Sequence, residues 1–173
     1  MAPPTFRTIF VSLVLLSFFG HAQASQQSVA VFDFELIDTS LEGQVNGPRP
    51  DEQHRLSDVA KEFRKRLAES GAYVPVDISE IADQVHRSNL QACGGMRYEI
   101  GATGRAELAI TGVVHKISNL ILNMSIYVRD SRDGHLVRQM AASFRGNTDQ
   151  SWSRALDWLV RNRLLAPRDG AVR

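Results

Sequence analysis

Leu120, Leu122, Met124, Ile126 and Val128 are apolar at every second position, and Ile121, Asn123, Ser125, Tyr127 and Arg129 fill the places between. Only a strand, with its two-residue period, gathers the first set onto one face. Residues 106–117 before this run and 135–145 after it have strand composition too. Ser118-Asn119 separates the first pair and Asp133-Gly134 the second, and Asp-Gly between such runs is a strong hairpin signal. A three-stranded antiparallel meander with one buried face is therefore expected over 106–145.

That buried face needs a cover, and the rest of the chain offers helices. Residues 51–70 carry Leu56, Val59, Ala60, Phe63 and Leu67 at three- and four-residue steps, with Gly71 as the stop. Strands are expected on either side of this helix, at 28–37 and 73–78, which is the strand–helix–strand pattern of a parallel pair, although antiparallel placement is also open. Along 28–37, Ala30, Phe32, Phe34 and Leu36 share one face and Val29, Val31, Asp33, Glu35 and Ile37 the other. Residues 39–50, with Gly43, Asn46-Gly47 and two prolines, read as a loop. Further helices are expected at 79–89 and 96–104, with an irregular stretch containing Cys93-Gly94-Gly95 between them. A last helix is expected from Thr148 to Leu164, capped by Asn147 with Gln150 answering, and with Trp152, Ala155, Leu156, Leu159, Val160 and Arg163 facing inward. The expected fold is a single α/β (α+β) domain, a mixed sheet of about five strands with helices packed on it, in the order β-α-β-α-(α)-β-β-β-α.

The first 24 residues read differently. Arg7 precedes the apolar run 9–19, and Ala22-Gln23-Ala24 has the small-x-small pattern of a signal-peptidase site, so cleavage is expected before Ser25. The apolar stretch is about half the roughly 20 residues a spanning helix needs, and no cysteine follows it to carry a lipid. The expected organisation is a signal peptide over 1–24, one globular domain over 25–165, a flexible tail over 166–173, and a periplasmic location with no transmembrane segment after cleavage. Loss of Arg7 leaves 19 basic and 19 acidic side chains. A neutral chain without a basic run argues against nucleic acid as partner.

Chemical motifs are scarce. No G-x-G-x-x-G, G-x-x-x-x-G-K-[ST] or G-x-S-x-G string occurs, and His54, His86, His115 and His135 lack metal-ligand spacing. Cys93 has no partner cysteine, and as a nucleophile it would need a base such as His86 or His115 in a known arrangement. No catalytic residue, metal or cofactor is expected. Two polar groups remain as binding candidates. Asp33, Glu35 and Asp38 cluster at the end of the first strand, where a cation or amine would fit unless Asp33 and Glu35 pair with Lys116 or Arg145 or accept backbone N–H bonds. Arg145, Asn147, Asp149 and Trp152 sit where a strand enters a helix, a place suited to anions and equally explained by capping and core packing. Lys116 and Asn119 mark a polar hairpin tip between apolar strands.

The strings VAVFDFELIDTS (29–40), HKISNLILNM (115–124), YVRD (127–130) and RGNTDQSW (145–152) resemble an uncharacterised family of proteobacterial periplasmic proteins, the domain of unknown function 3280 type. The resemblance covers nearly all of residues 28–165. It implies a periplasmic location and a setting near quinoprotein systems, but no established activity. With a neutral chain, no chemical motif and a further likeness to docking folds, the expected function is a non-catalytic binding or docking module, accessory to an envelope or quinoprotein-type respiratory assembly, whose partner is another periplasmic or envelope protein. A periplasmic small-ligand binder is the alternative, with a small enzyme using Cys93 or the acidic cluster Asp33, Glu35 and Asp38 behind it. The family pattern has C-G-G-C where this chain has Cys93-Gly94-Gly95-Met96, so a two-cysteine role does not carry over. More distantly, residues 29–34 and 111–134 are similar to the amino-terminal domain of the Tol–Pal propeller protein, curli secretion-channel subunits and outer-membrane activators of penicillin-binding proteins. Those domains serve assembly or docking.

Overall fold

The computed structural model of the chain describes residues 26–79 and 106–166. Along it come β1 (Gln27–Val31), β2 (Glu35–Asp38), α1 (Leu41–Asn46), α2 (Pro50–Glu69), β3 (Tyr73–Pro75), β4 (Leu108–Lys116), β5 (Ile121–Asp130), β6 (Leu136–Arg145) and α3 (Asp149–Leu159), which runs on into a π-helical turn at Val160–Leu164. The expected helices at 79–89 and 96–104, and Cys93, lie outside the described residues.

The strands form one six-stranded sheet in the order β3-β1-β4-β5-β6, with β2 also beside β4. The contacts β1–β3, β1–β4 and β2–β4 are parallel, whereas β4–β5 and β5–β6 are antiparallel. The meander is as expected, and the strand–helix–strand opening takes the parallel of its two open placements. Helices α2 and α3 cover one face. Leu56, Val59, Ala60, Phe63 and Leu67 of α2 and Trp152, Ala155, Leu156 and Leu159 of α3 pack there against Ile110, Val114, Leu122, Met124, Ile126 and Val128. Full burial of such side chains stabilises by about 1.5–3 kcal/mol each.

The expected single strand 28–37 is broken. Val31 stands opposite Ile110 and Glu35 opposite Val113, so three residues of the first strand span the gap that two residues span on β4. One extra residue turns every later side chain to the other face. Val29 and Val31 therefore share the main core with Phe34 and Leu36, while Ala30 and Phe32 lie on the opposite face with Ala109, under Val76, Ile78 and Ala106. The expected grouping of Ala30 and Phe32 with Phe34 and Leu36 is corrected accordingly. Gly112 makes the break possible: a Cβ there would overlap the Phe34 ring. The ring passes over Gly112 and meets Phe63 edge-on, centroids 6.0 Å apart.

Three further expectations change. Residues 39–50 contain α1, started by the Ser40 hydroxyl accepting from the Gly43 N–H at 3.0 Å and ended at Gly47, whose φ is 73°. No side chain of α1 is buried, which is why no apolar period announces it. Strand β3 stops at Pro75, and Ile78, expected within it, packs beside Ala30 and Phe32 instead. The cap of α3 is Thr148, not Asn147: Thr148 Oγ1 accepts from the Ser151 N–H at 3.2 Å and Ser151 Oγ accepts from the Thr148 N–H at 3.1 Å. The π-helical turn then puts Leu164 inside and Arg163 outside, with the Arg163 guanidinium 5.3 Å from the Trp158 ring centre.

Candidate functional site

Strand β4 sends Leu108, Ile110, Val114 and finally Lys116 to the core side, and α2 begins its inward stripe with Glu52, four residues before Leu56. Both charged side chains are fully buried. A buried charge without a partner costs several kcal/mol, and here each meets the other. Lys116 Nζ donates to Glu52 Oε1 at 2.7 Å and lies 3.1 Å from Asp38 Oδ2 and 3.2 Å from Glu42 Oε2. Asn147 Nδ2 donates to the same Glu52 oxygen at 2.6 Å and to Asn119 Oδ1 at 3.3 Å, and its own Oδ1 accepts from Trp152 Nε1 at 3.0 Å. Arg49 Nη1 donates to Glu42 Oε1 at 2.9 Å. Glu52 Oε2 is buried and accepts no hydrogen bond among the described residues.

The protonation states follow from these contacts. Burial pushes the Lys116 ammonium down, but bonds to Glu52, Asp38 and Glu42 outweigh it and hold the group above the ordinary lysine range. Burial likewise pushes Asp38 up, and the Ser40 hydroxyl and N–H together with Lys116 bring it below the ordinary carboxylate range. Lys116 chiefly, with Asn119 and Arg49, lowers Glu42. An enclosed ammonium kept charged by three carboxylates is poorly suited to act as a base or nucleophile. What it does is join β2, α1, α2, β4, the β4–β5 turn and the entry to α3 at one end of the sheet.

Five of the residues singled out from the sequence thus meet in one network: Asp38, Lys116, Asn119, Asn147 and Trp152. Four others do not join it. Asp33 accepts from Arg64 Nη2 at 2.7 Å beside the strand break, where Arg64 also holds the Val31 carbonyl at 2.9 Å. Glu35 is half-buried on β2. Asp149, exposed, accepts from Arg55 Nε at 2.6 Å. Arg145 ends β6 opposite Ile121, on the face away from Lys116. Between β2 and β6 stand β4 and β5, and three strand spacings amount to about 14 Å. Glu42 and Glu52, central to the network, were not singled out. Glu52 was detectable as an acid in register with the apolar stripe of α2; Glu42 belongs to a helix that no periodicity reveals.

The end of the sheet that holds this network also exposes large apolar side chains. Leu41 and Val45 of α1 are 75% and 74% exposed and Leu120 of the β4–β5 turn is 71% exposed. Ile37 at the end of β2, with Ile117 and Ile121 flanking the turn, adds to them. Six of the nine exposed large apolar side chains among the described residues thus come from this end, a concentration that scattered surface residues would not give.

A mixed α/β domain with a closed polar network under an apolar end is the class that fold and site define. The chain belongs to the family DUF3280, described as "Protein of unknown function (DUF2380)", which matches residues 27–164. No curated protein matches it in sequence. Among solved structures it is similar to lipoprotein GNA1162 from Neisseria meningitidis, with 16% identity, 80% of this chain and 94% of that one covered, and a TM-score of 0.50. It is also similar to PelC, solved as a dodecamer, from Paraburkholderia phytofirmans, with 11% identity, 78% and 86% covered and a TM-score of 0.49. The C-terminal domain of LpoB from Salmonella enterica matches at 13% identity, with 71% and 85% covered and a TM-score of 0.48. At 16% identity the likeness to lipoprotein GNA1162 is one of fold alone. Among the described residues no helix is long and apolar enough to cross a membrane.

Proposed function

We propose that this chain is a non-catalytic docking module of the bacterial periplasm, accessory to a larger envelope or respiratory assembly, and that its apolar end is what it presents to a partner protein. The observation that carries this reading is the exposure of Ile37, Leu41, Val45, Ile117, Leu120 and Ile121 at the end of the sheet that holds the Lys116 network, with Ile37 and Ile121 on the sheet face away from Lys116. The network fixes the underlying backbone, so the apolar side chains are displayed on a prepared surface, which lowers the ordering cost of binding. The periplasmic address rests on residues 1–24, whose composition is that of a signal peptide. The small-ligand alternative needed a pocket joining Asp33 or Glu35 to Arg145, and the sheet order separates them.

A photo-crosslinking residue placed at Val45, and separately at Leu120, tests the docking surface in intact cells. Both positions are expected to trap the same second protein, and Leu41→Lys combined with Ile121→Lys is expected to abolish trapping while leaving the melting temperature nearly unchanged. Adducts to lipid alone, or none from either position, would overturn the reading. Amino-terminal sequencing of periplasmic protein is expected to begin at Ser25, and an intact Met1 would remove the exported location.

A further inference from the structure

Strand β6 is last in the sheet, so among the described residues one of its edges has no neighbour. The register says which backbone groups face that edge. Gly146 donates its N–H to the Leu120 carbonyl at 3.2 Å, which makes Leu120 and Gly146 a hydrogen-bonded pair, and antiparallel pairs alternate between bonded and non-bonded. Phe144 with Leu122 and Ala142 with Met124 are then bonded, whereas Arg145 with Ile121, Ser143 with Asn123 and Ala141 with Ser125 are not. The N–H and C=O groups of Ala141, Ser143 and Arg145 consequently point away from β5.

These groups open into a groove of about 490 Å³ that runs between residues 141–145 and the flank of α3 formed by Ser151, Arg154, Ala155 and Trp158. Trp158 is 42% exposed. Among the described residues the only charged side chains in the lining are Arg145 and Arg154, and neither has an acidic partner there. The acids of α3 are engaged elsewhere, Asp149 with Arg55 and Asp157 with Arg66 and Arg161. An unpaired strand edge, an apolar notch at Ala155 and Trp158, and two unneutralised guanidiniums therefore share one groove.

The geometry points to a strand-addition site here: an extended acidic segment of a partner protein pairs with the free edge of β6 and sets an apolar side chain against Trp158. Its carboxylates reach Arg145 and Arg154. Main-chain bonds to Ala141, Ser143 and Arg145 supply the generic part of the affinity, and the notch and the arginines select the sequence. Five residues of strand span about 17 Å, so a segment of about five to seven residues fills the groove. The groove meets the apolar end only where Ile121 stands opposite Arg145, excludes Leu41 and Val45, and stands whether or not that end docks a protein.

The test is a display library of random peptides of about nine residues, panned on the full chain. Enrichment of proline-poor peptides with two or more carboxylates is expected. The best of them, made synthetically, is expected to bind at least about tenfold more weakly to Arg145→Glu/Arg154→Glu, because two charge-assisted contacts are reversed. Ser143→Pro is expected to weaken it similarly while leaving the melting temperature within a few degrees, since proline is tolerated where the N–H faces away from the sheet. If that variant melts early, hydrogen exchange on the parent decides instead: the amides of Ala141, Ser143 and Arg145 are expected to slow on adding the peptide. Leu41→Lys/Val45→Lys, both on α1 and outside the groove lining, is expected to bind the peptide like the parent, which separates this site from the other surface. Absence of acidic enrichment, binding indifferent to the arginine reversals, or no slowing of those amides would each overturn the proposal.

Discussion

Lys116 and Glu52 each sit where their neighbours in register are apolar, Val114 and Ile110 on β4 and Leu56 and Val59 on α2. Two opposite charges on two inward faces must find each other, and that much was legible from periodicity once Glu52 was counted with the stripe of α2. Reading Lys116 as part of a polar hairpin tip, or as a partner for Asp33 or Glu35, missed Glu52, because the strand keeps its inward register to its last residue. Removing one partner strands the other: Lys116→Met is expected to destabilise by about 3–5 kcal/mol, and adding Glu52→Met to recover most of the loss, both read from urea denaturation. A double variant no better than the single would show that the pair does not interact as described. Asn147 and Thr148 give a sharper contrast. Thr148→Asp keeps a side-chain acceptor at the cap and is expected to be close to neutral. Asn147→Asp puts a carboxylate where an amide now donates to Glu52 at 2.6 Å, and it is expected to cost about 1–3 kcal/mol or more. Equal effects at the two positions would restore Asn147 as the cap.

At the scale of elements, legibility follows contrast between faces. The meander was readable because residues 120–130 alternate apolar with polar, and α2 because its stripe is flanked by charges. The first strand was misread for the opposite reason: Val29 to Phe32 is apolar on both faces, so a one-residue insertion leaves no mark on the pattern. Its trace lies far along the chain in Gly112, a glycine flanked by the β-branched Ile110, Thr111, Val113 and Val114. Gly112→Ala is expected to destabilise by about 1–3 kcal/mol, since the new methyl group must displace the Phe34 ring. Phe34→Leu in the same chain should absorb much of that penalty, so a double-mutant cycle is expected to show strong non-additivity. Additive effects would mean that ring and glycine are not coupled. Helix α1 was missed because it buries nothing, and its only local signal is Ser40 three residues before Gly43.

Across the whole molecule, the candidate site was legible by membership and illegible by grouping. Asp38, Lys116, Asn119, Asn147 and Trp152 were all singled out, but in three separate groups, because only the parallel pairing of β2 with β4 and the placement of α2 bring them to one end. That assembly has a measurable electrostatic signature. Asp38 and Glu42 are held below their ordinary values of 3.8 and 4.5, and Asp51, beside Arg49 and Arg55, is lowered to about 2. A carboxylate depressed in the folded state contributes stability that is present above its unfolded value and lost as pH falls through its folded one. The parent chain is therefore expected to lose stability progressively below about pH 4.5, as the unfolded chain takes up protons that the folded chain refuses. Lys116 is shifted the other way, raised above 10.5, so its contribution is complete below that value and fades only as pH rises beyond it. Acid loss should thus depend on Lys116 while the ammonium itself does not titrate in the acid range. Urea midpoints measured from pH 3 to 7 on the parent and on Lys116→Met are expected to show a shallower acid slope in the variant. The slope does not vanish, because Ser40 still binds Asp38 and Arg49 still binds Asp51. An unchanged slope in a folded variant would mean that Asp38 and Glu42 owe their low values to neighbours other than the buried lysine.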